Sequence, residues 1–154
     1  MSPRHDQHFD ALAIKASAPA IARESIVVAA SPEATWAVLS DIRRWPEWNA
    51  AVTRTTVDGP LTSGTIFRWK AGPGMITSTI EAVDPPHLIA WTGRTMGITA
   101  VHLHRLAPVA GGTRVTSEES WDGPVVRLLP ASMRKTLQAS IEAALLCLKA
   151  EVER

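Results

Sequence analysis

Two hydrophobic periods divide the chain. Towards the end, Met133, Leu137, Ile141, Ala144, Leu145, Leu148 and Val152 recur at intervals of three and four, which is the single apolar stripe of an amphipathic helix. Arg134, Lys135, Gln138, Glu142, Lys149 and Glu153 fall mainly elsewhere around the wheel. Pro130 separates a short first turn over 125–129 from a main helix over about 131–152, a rod of roughly 33 Å. Between 51 and 121 the pattern is instead one of short runs bounded by turn residues: Asp58-Gly59-Pro60, Gly72-Pro73-Gly74, Asp84-Pro85-Pro86, Gly97 and Gly111-Gly112. These bound six expected strands, 51–57, 65–71, 75–83, 88–95, 98–106 and 113–121. The β-branched run Glu24 to Ala30 supplies a seventh ahead of them. The turns from 51 onward are too short for crossover helices, so those strands form an antiparallel meander.

Between the first two strands, Ser31-Pro32-Glu33 is a helix start: the serine accepts from first-turn amides, proline loses no needed donor and the acid suits the dipole. Trp36, Val38, Leu39 and Ile42 give that helix an apolar side, and Pro46 should end it by Arg44 or Trp45, leaving Trp45 to Asn49 as a second short helix. Residues 1–22 carry few apolar anchors (Phe9, Leu12, Ile14, Ile21) and read as a weakly structured arm, with a short helix over Phe9 to Ala16 as its one regular element and no necessity for the fold. The folded unit is then 23–154. Seven strands need cover for their apolar face, and the terminal helix is the only large partner the chain offers. The expected class is α+β: a curved antiparallel sheet wrapped around a long C-terminal helix, with two short helices after the first strand. A sheet that grips one helix leaves a gap, and the gap is an internal cavity.

Bulk composition narrows the function classes. At 154 residues, 45% hydrophobic and 20% charged, the chain has the size and composition of one globular domain. Sixteen Lys and Arg against fifteen Asp and Glu leave +1, which gives no global field for nucleic acid or an anionic membrane. No apolar run approaches the ~20 residues of a spanning helix, and the first residues lack the order of a secretory signal, so a cytoplasmic protein without membrane insertion is expected. The single Cys147 lies within the apolar C-terminal helix and reads as a buried structural thiol. A Gly-rich nucleotide loop, a Gly-x-Ser-x-Gly elbow and a paired-Cys motif are all missing from the sequence, and no cofactor is expected.

The candidate chemistry lies on the last two strands. His102 and His104 are two apart and share a face, and the hairpin through 107–112 sets Glu119 opposite His102. Val115, Ser117, Glu119 and Trp121 form the matching face of the last strand. If that face points inward, His102, His104 and Glu119 anchor a ligand carbonyl or hydroxyl, or act as an acid–base set, because a carboxylate beside histidine holds its tautomer and shifts its pKa. The competing readings are two histidines that satisfy each other and a three-ligand metal site, which lacks identifiable supporting partners; no metal is assigned. Of the six tryptophans, Trp36, Trp45 and Trp48 are expected to pin the short helices, while Trp69, Trp91 and Trp121 face the cavity. Phe67 shares a face with Trp69, Met96 sits at a rim beside Gly97, and Leu137 and Ile141 supply the helical wall.

Taken in order, several segments resemble a known family. They are Ser31-Pro-Glu-Ala-Thr-Trp-Ala-Val-Leu-Ser-Asp41, Arg44-Trp-Pro-Glu-Trp-Asn49, Gly64-Thr65, Val83-Asp-Pro-Pro86 leading to Leu88-Ile-Ala-Trp91, Gly112-Thr-Arg-Val115 leading to Glu118-Glu-Ser-Trp-Asp-Gly123, and the long helix. The chain from about Arg23 to Arg154 resembles the SRPBCC or START-like superfamily, whose helix-grip domains include polyketide cyclase-like proteins, pollen-allergen relatives and lipid-transfer domains. The resemblance implies hydrophobic ligand binding in the helix-grip cavity more firmly than any reaction. The expected function is therefore binding of a small hydrophobic or aromatic molecule. One rival is a polyketide cyclase/dehydratase-like enzyme using His102, His104 and Glu119, and another is a protein-interaction module. Ligand identity and a homodimer both stay open.

Overall fold

The computed structural model describes residues 13–154. Its seven strands are β1 (Ala20–Val28), β2 (Val52–Val57), β3 (Ile66–Ala71), β4 (Gly74–Asp84), β5 (Leu88–Thr95), β6 (Ile98–Val109) and β7 (Gly112–Asp122), and its helices are α1 (Pro32–Leu39), α2 (Trp45–Trp48), α3 (Pro124–Leu128) and α4 (Pro130–Val152). The strands form one antiparallel sheet in the order β1-β7-β6-β5-β4-β3-β2. Strands β2 to β7 are the expected meander, and β1 returns to pair with β7. The sheet is open, with β1 and β2 as its edges.

The stripe of α4 faces the sheet, and Leu137, Ile141, Leu145 and Leu148 are all buried. The helix packs mainly on β1 and also meets β7. One large cluster joins this stripe to Leu39, Ile42 and Trp45 of the short helical segments and to Val28, Phe67, Ile80, Trp91 and Val115 of the sheet. The convex face carries a smaller cluster, Ala82, Leu88, Ala90 and Leu103, with Ile14 and Val101 packed against it. Burying side chains of this size is worth about 1.5–3 kcal/mol each, so the helix-to-sheet seam contributes substantially to stability.

Three local readings differ from expectation. Strand β1 begins at Ala20, inside the segment read as an arm, because Ala20 and Ala22 are buried opposite Trp121 and Glu119 and extend the ladder with β7. Before it, the Lys15 N–H donates to Ser120 Oγ at 3.1 Å and the Lys15 ammonium pairs with Asp122. Of the helix expected over Phe9 to Ala16, the first part lies outside the described residues, and 13–16 are not helical; the Ala18 N–H closes a turn on Lys15 O at 3.0 Å. Finally, α1 stops at Leu39 rather than near Arg44, and a 3-10 turn over Ile42–Arg44 leads into α2. Its start is as expected, with the Ala34 N–H donating to Ser31 Oγ at 3.1 Å.

Candidate functional site

The β6–β7 hairpin turns at Ala110-Gly111, and its register sets His102 opposite Glu119 and His104 opposite Ser117. On the other side of β6, Trp91 lies opposite His102. Alternation along these strands puts all five side chains on the concave face. His102 Nε2 lies 2.8 Å from Ser117 Oγ, and His104 Nε2 lies 3.3 Å from the same oxygen. The two imidazoles overlap at 4.3 Å between centroids, and His104 stacks on Trp91 at 5.2 Å. His102 Nδ1 is 3.6 Å from Glu119 Oε1, close enough for electrostatic coupling though beyond a good hydrogen bond. Both Nδ1 atoms are buried without a hydrogen-bond partner, an arrangement native interiors rarely leave unexplained.

Above this strip lies a cavity of about 530 Å³ between the concave face and α4, within the usual range for small-molecule sites. Trp45, Trp48, Trp69, Trp91 and Trp121 all line it. Trp45 contacts Trp69 and Trp91 with centroids 5.6 and 5.5 Å away, and the Trp69 indole is held by donating to Ser78 Oγ at 3.0 Å. The exposed lining residues Pro73, Arg94, Met96, Thr136 and Ser140 mark the mouth, between two hairpin turns and the helix. Met96 reaches that rim from a two-residue turn in which both Met96 and Gly97 have positive φ, 46° and 78°, the backbone that a tight hairpin requires.

The electrostatics follow from burial. Burial pushes the His102 imidazole down to about 3, and burial together with its neighbour His102 holds His104 well below its usual value. Both rings are neutral at physiological pH. Burial raises the Glu119 carboxyl to about 7, against the opposing effect of a hydrogen bond from Trp121. A neutral carboxyl and its ionised form are therefore both accessible near pH 7, the condition under which a group can donate, accept or exchange a proton. Among the described residues no three His, Cys, Asp or Glu side chains converge to hold one metal ion.

Of the ten residues expected at the site, Trp69, Trp91, Met96, His102, His104, Glu119, Trp121 and Ile141 line the cavity. Phe67 and Leu137 do not. Both are fully buried: Phe67 stands behind Trp45 and Trp91, edge-on to Trp45 at 5.8 Å, and Leu137 lies in the large core cluster. The sequence reading missed three contributors. Trp45 and Trp48 line the cavity as well as fixing the short helices, which follows from α2 packing against β2 at the sheet's open end. Ser117, on the expected inward face, lies opposite His104 and hydrogen-bonds both histidines; a small hydroxyl residue on that face, two residues before Glu119, was the available signal.

The family model described as polyketide cyclase/dehydrase and lipid transport matches residues 19–153. The chain belongs to this family. No curated protein matches it by sequence. Among solved structures it is similar to the START superfamily protein from Mycobacterium smegmatis, with 16% identity, a TM-score of 0.74, and coverage of 86% of this chain and 97% of that one. It is also similar to the Zhui aromatase/cyclase from Streptomyces sp. R1128, with 18% identity, a TM-score of 0.72, and coverage of 87% and 93%. The hypothetical protein jhp0584 from Helicobacter pylori is a third, with 16% identity, a TM-score of 0.77, and coverage of 90% of each chain. At these identities the likeness concerns the fold, which is the helix-grip arrangement expected from the sequence. No helix of the described residues is long and apolar enough to cross a membrane.

Proposed function

We propose that this protein binds one small, largely apolar or aromatic molecule in the cavity between sheet and helix. The observation that carries the reading is the cavity itself: about 530 Å³, open at one rim and lined by five tryptophans, with His102, His104, Ser117 and Glu119 along one side. Indole faces bury large apolar area with little loss of side-chain freedom, which suits a flat, largely apolar ligand. An environment-sensitive dye and a panel of polycyclic aromatics should bind with micromolar dissociation constants, near 8 kcal/mol. Trp91→Ala and Trp121→Ala should weaken most of the panel. A folded protein that binds none of these compounds rules the reading out.

A second reading, a cyclase or dehydratase-like enzyme, is favoured by one observation: Glu119 titrates near 7 beside an unprotonated histidine, which suits general acid–base work at neutral pH. Turnover of a poly-β-ketone substrate, lost in Glu119→Gln with binding retained, would establish it. Unchanged substrate after prolonged incubation would exclude it.

A further inference from the structure

Gly93 sits inside strand β5, where glycine is costly: it loses more backbone freedom on folding than any other residue and brings no side chain to the packing. Three conditions call for glycine within a strand, namely a left-handed backbone, a bulge, or the close approach of another group. The first two do not hold. The φ of Gly93 is not positive, and its pairings with Ser78 on β4 and Ala100 on β6 fall in unbroken register, the shift between β4 and β5 lying further along at Ile80/Ala82. Close approach is the condition left. A β-carbon on Gly93 would lie 3.2 Å from Ser78 Oγ, 3.4 Å from Ile76 Cγ2 and 3.9 Å from the Ala100 methyl. The nearest of these belongs to a hydroxyl that accepts the Trp69 indole N–H at 3.0 Å, so an added methyl would press on the group that holds Trp69.

Register sets Gly93 in a row that crosses four strands. Ser78, Gly93, Ala100 and Trp121 stand opposite one another in turn, and all four line the cavity. The next row inward holds Ile80, Trp91, His102 and Glu119. Large rings therefore back a row whose first three members carry a hydroxymethyl, a hydrogen and a methyl. Strand spacing and the two-residue repeat make this floor about 10 Å across the strands and about 7 Å along them. Trp91 and His102 bound it at the inner end, Trp121 on one side, and Trp69, tied to Ser78, on the other.

We propose that the ligand's ring system lies face down on this floor, against the peptide groups around Gly93 and the Ala100 methyl, and that Gly93 and Ala100 set which ring systems the protein accepts. This rests on the cavity being the binding site and gives its occupant a shape: a flat body about two or three fused rings across, flanked by the Trp69 and Trp121 indoles. Face contact with bare backbone removes more apolar area from water than edge contact, and the flanking indoles meet the ring edges in the geometry aromatic pairs favour. Gly93 governs one flank as well as the floor, because a side chain there displaces Ser78 Oγ and with it the indole that Ser78 holds.

Fluorene, flat, tricyclic and without a polar group, is the probe. In protein labelled with carbon-13 at the alanine methyls, saturating fluorene should move the Ala100 methyl upfield, the direction taken beneath the face of an aromatic ring. The methyl of Ala90, buried in the convex cluster, should stay in place. Calorimetry gives a second readout: Ala100→Leu and Gly93→Ala should each raise the dissociation constant about tenfold or more while circular dichroism is retained. Thr92→Val, next to Gly93 on the opposite face, should change it by less than about twofold. If Ala100→Leu does not fold, Ala100→Val takes its place with the same direction of change. An Ala100 methyl that stays put or moves downfield with fluorene bound, or parental affinity in both floor variants, overturns the placement and leaves the cavity reading intact. A folded parent that binds neither fluorene nor the rest of the polycyclic panel overturns both.

Discussion

Glu119→Gln should stabilise the protein at alkaline pH and do almost nothing in acid. Glu119 is buried, its nearest basic groups are neutral, and burial lifts its carboxyl from 4.5 to about 7. A raised folded-state value means that stability present below the unfolded value is lost as pH rises through the folded one. The folded protein therefore loses ground to the unfolded chain between about 4.5 and 7, at up to about 1.4 kcal/mol per pH unit. The total approaches roughly 3 kcal/mol by pH 8. Glutamine keeps the shape and the neutral charge: its carbonyl can accept from Trp121, and its amide can face His102 Nδ1. Urea unfolding of parent and variant should thus differ by less than about 1 kcal/mol at pH 5 and by roughly 3 kcal/mol at pH 8, the variant being the more stable. A constant difference across this range, or a variant less stable at pH 8, would show that a cation compensates Glu119 and that the electrostatic account of the site is wrong.

Other expectations follow from the packing and from the histidines. Leu137→Asp or Ile141→Asp places an unpaired charge in the seam between α4 and the sheet, and circular dichroism should show no cooperative unfolding; Leu145→Ala should cost about 2–5 kcal/mol. Ile14→Ala should lower stability by about 1 kcal/mol, since Ile14 is a partly buried cover on the convex cluster; an unchanged melting temperature would show that this segment is dispensable. His102 falls from 6.5 to about 3 in the folded state, so its contribution is present above 6.5 and is lost as pH drops towards 3, at up to about 1.4 kcal/mol per unit. His102→Asn should flatten the acid limb of the stability curve relative to parent.

The elements were legible where local signals and tertiary demands agree. Turn residues bounded the strands of the meander to within a few positions, since glycine and proline act through backbone geometry that no packing overrides. The pairing of His102 with Glu119 followed from hairpin register and strand alternation. Legibility failed where a neighbour decided the outcome. Ala20 and Ala22 have weak strand propensity, and they join β1 where they lie opposite Trp121 and Glu119. Phe67 and Leu137 share faces with lining residues but stand behind other side chains, and periodicity assigns a face without assigning depth. The double role of Ser117 depends on two rings tilting towards one oxygen, which no spacing rule contains.

The central claim is that the space between sheet and helix is where a ligand sits. Ala144 lines that space from α4, so Ala144→Trp should fill much of it. Calorimetric titration of parent and variant with fluorene is the direct test. The account predicts one site per chain with micromolar affinity in the parent and at least a tenfold loss in a variant whose circular dichroism and cooperative unfolding are retained. Equal affinity in the two proteins would place the ligand outside the cavity and contradict the account.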